Sequence, residues 1–117
     1  MTPEERERFE THRWQAQAAR VLVALEDEAA EAAEADLPGL DWAVGLMRLT
    51  GTPAPGRSAE QARADWLAWA EHLGAVAEDE SVLSTGTRIL RATAERRPGS
   101  GPATVTVLLL AEIQAED

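Results

Sequence analysis

The stretch Ser58–Gly74, SAEQARADWLAWAEHLG, constrains this chain more than any other. Ser58 can accept the first free backbone N–H groups of a helix, and Gln61, three residues on, can reach back to the Ser58 N–H, completing a capping box. Ala59, Ala62, Trp66, Trp69, Ala70 and Leu73 recur at three- and four-residue steps, so they share one helical face. Gly74 stands where a left-handed C-cap is wanted, and His72 sits in the last turn, where a cation suits the helix dipole. Two indoles one turn apart among alanines require a broad apolar layer to lie against. The rest of the chain has to build that layer.

Its 117 residues fit one domain, 1–117, around one modest core. With 44% hydrophobic residues the chain lies outside the disordered class. Large side chains are few, one Phe and four Trp, while 23 alanines imply close contacts between elements. There is no Cys, hence no disulfide and no thiolate site. Lys, Asn and Tyr are also absent and all 11 positive charges are Arg, the usage of a high-GC bacterial genome. No apolar run approaches twenty residues, and the opening TPEERERFE does not read as a signal peptide, so a cytoplasmic protein without a membrane span is expected. The net charge of −10 disfavours DNA, RNA and anionic membranes as direct partners and permits a basic protein.

Taken in order, Thr2-Pro3-Glu4-Glu5 reads as N-cap, proline at N1 and acids at the positive helix end. Nothing interrupts the helix before Leu37-Pro38-Gly39. Its apolar stripe is Trp14, Ala18, Val21, Leu22, Leu25, Ala29 and Ala32. Such a helix is about 50 Å long, against a radius of gyration of about 13 Å for a compact chain of this size. Residues 1–13 are therefore expected to overhang the core, fray, or pack on a second subunit. Phe9, aligned with Ala16 and Val23, lies opposite the stripe, an ordinary exposed residue or a second contact face.

Leu40, Trp42, Val44 and Leu46 alternate, which predicts a strand or, with Gly45-Leu46 as a two-residue turn, a tight hairpin of roughly 39–44 and 47–52. The rival is a short helix capped by Asp41 and closed by Gly51. Pro53–Gly56 is a linker and AVAEDES an acidic loop. Thr87–Glu95 and Ala103–Gln114 read as strands joined by the turn-rich RRPGSGP. In the second strand Val105, Val107, Leu109, Ala111 and Ile113 point one way, and Thr104, Thr106, Leu108, Leu110 and Glu112 the other. Aligning apolar faces sets Leu90 near Leu109, Ala92 near Val107, Thr93 beside Thr106 and Ile89 beside Leu110. The expected fold is α+β: a long N-terminal helix and a second, Trp-bearing helix packed on one face of a three- or four-stranded antiparallel sheet.

No catalytic set assembles. His12 and His72 belong to no E-x-x-H or H-x-x-x-H pair. Nothing like G-x-S-x-G surrounds Ser58, Ser81, Ser84 or Ser100. The glycines of Arg97–Pro102 are followed by no helix and accompanied by no Lys, so they do not form a phosphate loop. A non-enzymatic protein without metal or cofactor is expected. The acidic run Glu26–Asp36 places Asp27, Glu31 and Glu34 on one stripe, a surface that could bind a divalent cation, mimic nucleic-acid phosphates or meet an arginine-rich partner, or a solvated face. Trp14, Trp42, Trp66 and Trp69 read as core, with a ligand pocket as the alternative. If the helices cover only the Val105–Val107–Leu109 face, then Ile89, Leu108 and Leu110 lie on an open face. Framed by Arg91, Thr93, Thr106 and Glu112, they have the makings of an interface.

The long Ala-rich first helix, Leu40-Asp41-Trp42, Arg48-Leu49-Thr50-Gly51 and the Trp66–Gly74 helix end before a C-terminal hairpin resemble small, uncharacterised acidic α+β proteins of high-GC actinomycetes. The element order, size and charge also resemble type III secretion chaperones, small acidic dimers of helices and sheet. The expected function is a non-enzymatic protein-interaction module of adaptor, chaperone-like or immunity-like kind, homodimeric. The alternatives are an acidic nucleic-acid mimic that binds a DNA-binding protein, and a small-ligand binder using the tryptophans.

Overall fold

The computed structural model describes residues 2–31 and 37–114. It contains helices α1 (Pro3–Glu31) and α2 (Ala59–Leu73) and strands β1 (Leu40–Val44), β2 (Arg48–Pro53), β3 (Val76–Ala77), β4 (Ser81–Val82), β5 (Arg88–Arg96) and β6 (Val105–Ile113). The expected end of the first helix, with Ala32 and Glu34, lies outside the described residues.

Helix α1 starts as its sequence dictates. Thr2 Oγ1 accepts the Glu5 N–H at 3.2 Å, and the Thr2 carbonyl accepts the Arg6 N–H at 3.0 Å. Yet only Ala18, Val21 and Leu25 are buried along it. Residues 3–10 are exposed on every side, and Trp14, expected on the buried stripe, is 40% exposed. Burial of the stripe begins only where the helix meets the sheet. The longest molecular axis is 57 Å and the radius of gyration 16.1 Å, above the compact value of about 13 Å.

Helix α2 has both expected caps. Ser58 Oγ accepts the Gln61 N–H, Gln61 Oε1 accepts the Ser58 N–H, each at 3.1 Å, and Gly74 closes the helix at φ 63°. Trp69 is 1% exposed, and its Nε1–H donates to the Pro38 carbonyl at 2.7 Å. The Trp66 Nε1–H donates to the Leu109 carbonyl at 3.1 Å. Trp66 packs on both apolar clusters, the larger one around Trp69 and the smaller one of Ala62, Leu90, Ala111 and Ile113.

The sheet is larger than expected and mixed. Its order is β1-β2-β6-β5-β3, with β4 also pairing β5. Strands β2 and β6 run parallel, which corrects the antiparallel expectation. The cause is the segment taken for an acidic loop. Strands β3 and β4 both run opposite to β5, hence in the direction of β2. They carry the chain back along the sheet after α2, so β5 descends and β6 returns parallel to β2, sliding between β2 and β5.

Two registers also differ from expectation. In the first hairpin the Gly45 N–H donates to the Arg48 carbonyl at 2.8 Å, so the two-residue turn is Leu46-Met47, one position later, with Met47 at φ 53°. This register sets Trp42 opposite Gly51. A Cβ at Gly51 would come within 2.7 Å of the Trp42 ring, so only glycine leaves room for the indole. In the second hairpin Leu90 pairs with Ala111 and Ala92 with Leu109, two residues from the expected alignment. Each large residue then faces a small one, where the expected register set leucine against leucine. A shift of two keeps every side chain on its face, so Val105, Val107, Leu109 and Ala111 lie under the helices, at most 1% exposed.

Candidate interaction face

Strand alternation leaves the other side of the sheet without a helix. On it stand Thr106, Leu108, Leu110 and Glu112 of β6, Ile89, Arg91, Thr93 and Glu95 of β5, and Arg48, Thr50 and Thr52 of β2. Leu108 and Leu110 are half-buried and belong to neither apolar cluster under the helices. Ile89 is on the same face but does not meet Leu110 as expected. It pairs with Glu112, while Arg91 pairs with Leu110, and Ile89 is only 8% exposed. The exposed apolar part of the face is thus Leu108 with Leu110, together with Val76 of β3, which pairs with Thr93 and is 72% exposed.

Arg48, Glu78, Arg91, Thr93, Thr106, Leu108 and Leu110 line one shallow depression of about 260 Å³. Arg91 and Thr106 were legible as framing residues. Arg48 was not, because only the parallel β2–β6 pairing brings it beside Thr106. Among the described residues neither guanidinium forms an ion pair, unlike Arg57, Arg63 and Arg88. In a chain of net charge −10, two such arginines beside two leucines make a distinct patch.

The paired arginines serve the fold. Arg57 grips Asp65 through Nε–Oδ2 at 2.8 Å and Nη2–Oδ1 at 3.0 Å. Asp65 is 6% exposed, and this pairing raises the Arg57 pKa above its already high ordinary value. Sequence reading missed the pair, since the partners lie eight residues apart across a helix start. Glu80 joins Arg63 of α2 at 2.7 Å to Arg88 of β5 at 3.3 Å. The hydrogen bond from Arg63, aided by the charge of both arginines, holds the Glu80 carboxyl below the usual carboxylate range.

Asp27 and Glu31 are exposed on α1, in the helical layer and away from the open face, and Glu34 lies outside the described residues. No group of three His, Asp or Glu able to hold a metal ion occurs among the described residues. His12 is exposed on α1. His72 Nε2 is buried, makes no hydrogen bond, and lies 3.5 Å from Glu28 Oε2. The His72 ring stands edge-on to Trp69, centroids 5.7 Å apart, and Trp69 stands edge-on to Trp42 at 5.4 Å. Trp42, Trp66 and Trp69 are thus interlocked with the core, and Trp14 stands apart on α1. No described helix is long and apolar enough to cross a membrane. Comparison with protein families, with curated proteins and with solved structures finds no match to this chain.

Proposed function

We propose that this chain is a non-enzymatic protein-interaction module, adaptor-like or chaperone-like, that binds through the open face of its sheet. The observation that carries this reading is the Leu108–Leu110 strip, uncovered by either helix and framed by Arg48, Arg91, Thr93, Thr106 and Glu112. An apolar centre within a polar rim is the anatomy of a protein interface. The test compares wild type with Leu110→Glu, by mass in solution and by capture of partners from the native host. Leu110→Glu is expected to remain folded by circular dichroism and to lose the association that wild type shows. Equal mass and equal capture for both proteins would refute the reading.

A further inference from the structure

We infer that the chain holds an anion site that takes a phosphate group, where helix α1 passes the loop between β5 and β6. The inference is independent of the reading of the open face. Arg13, Gln17 and Arg20 recur at four and three residues, so they share one side of α1. They form one wall of a depression of about 230 Å³, and Gly99 and Gly101 of the loop stand in the other. Among the described residues no carboxylate lines it. Glu10, three residues before Arg13, lies outside it. Neither Arg13 nor Arg20 forms an ion pair among the described residues.

The two arginines are two helical turns apart, about 10 Å. Their guanidiniums can close on one group from both ends, with the Gln17 amide between them as a further donor. The loop adds donors of its own. Between Pro98 and Pro102, which have no N–H, stand Gly99, Ser100 and Gly101, and their N–H groups meet no acceptor among the described residues. Successive free N–H groups in a turn are a recurrent anion-binding element. The glycines are not required by the fold. Neither takes the left-handed backbone that favours glycine, and a Cβ at either would meet nothing within 4 Å. Their bare backbone instead lets a ligand approach closely. At the foot of the loop Arg96 ends β5 opposite Val105, and its buried Nε has no hydrogen-bond partner among the described residues. A buried N–H without an acceptor is rare in folded proteins. Donors on several sides suit a tetrahedral anion, whose oxygens accept in every direction, better than a flat carboxylate with two. The net charge of −10 does not forbid such a site. At physiological ionic strength charges beyond about 8 Å are largely screened, so the local cations decide. The sequence excluded a phosphate loop built on a following helix and a Lys; here α1, from the other end of the chain, supplies the cations.

The test follows the backbone amide NMR shifts of the full chain during titration with inorganic phosphate, at fixed pH and with ionic strength held constant by sodium chloride. Methyl phosphate is titrated in parallel to separate a free anion from a phosphate ester, and acetate serves as the flat carboxylate. Saturable shifts centred on Gly99, Ser100, Gly101 and Gln17 are expected with a phosphate probe, and acetate should bind at least about tenfold more weakly. Arg13→Gln and Arg20→Gln, both at exposed positions and checked by circular dichroism, should each weaken binding at least about tenfold. Arg8→Gln removes the same charge from another side of α1 and should bind as wild type does. Binding of inorganic phosphate supports a free anion, binding of methyl phosphate alone supports an ester, and binding of neither overturns the proposal. Shifts that do not saturate, that acetate produces equally, or that Arg8→Gln diminishes as much as Arg13→Gln overturn it too, because they would reveal only a basic edge in solvent.

Discussion

The two faces of β6 differ more than any two elements of the molecule. Val105, Val107, Leu109 and Ala111 are at most 1% exposed beneath the helices. Thr106, Leu108 and Leu110, one residue out of step, are half-buried, and Glu112 is exposed. Leu109 and Leu110 are chemically identical neighbours with different partners. One touches core and holds the Trp66 indole through its carbonyl. The other sits beside Arg91 on an uncovered face. An apolar residue on the first face serves the stability of the fold. On the second it is half-buried, and it is expected to contribute little to the fold.

The largest effect should come from the helical side of this comparison. Trp69→Ala removes the ring that Trp42 and His72 stand against and strands the Pro38 carbonyl. A loss of about 3–5 kcal/mol in denaturant melts is expected. Leu109→Ala against Leu110→Ala puts the contrast to its sharpest use. The first should cost about 2–5 kcal/mol, while the second, measured on the monomer, should stay under about 1 kcal/mol. Equal losses would mean that the sheet is covered on both sides. Gly51→Ala tests the packing of Trp42 on the helical face. The new Cβ falls 2.7 Å from the indole, and overpacking of this kind costs about 1–3 kcal/mol.

The smallest effect concerns the edge that carries β3 and β4. Glu80 has its pKa lowered by Arg63 and Arg88, so its ionised form is favoured in the folded chain. The stability this gives is present above the ordinary carboxyl value of 4.5 and is lost as pH falls through the lower, folded value. Protection of the amides at residues 76–82, measured relative to the intrinsic exchange rate at each pH, should fall in acid for wild type. It should be lower already near neutral pH in Glu80→Gln. Acid exchange equal in both, at unchanged neutral rates, would show that the cluster does not tie down this edge.

Much of this arrangement was legible beforehand, for physical reasons. Helical period and caps are local, so α2 was readable from Ser58 to Gly74. Strand parity is local too, which is why Leu108 and Leu110 were placed on the open face despite a register wrong by two. Direction is not local. Strands of two residues, Val76–Ala77 and Ser81–Val82, carry no periodicity, yet they reverse the chain and make β2 parallel to β6. Arg48 could therefore not be seen beside Thr106. Trp14 was misjudged because its stripe is continuous in sequence while the layer it faces ends before it. The Arg57–Asp65 grip spans a loop, where spacing gives no signal.

The central claim, that the Leu108–Leu110 side of the sheet is an interface, is tested most directly by the mass of wild type and of Leu110→Glu in solution at matched concentration. A dimeric wild type and a monomeric variant with unchanged circular dichroism is the predicted result. A variant that unfolds outright would contradict the account, because it would make Leu110 part of the core. So would a variant that keeps the wild-type mass and the wild-type partners.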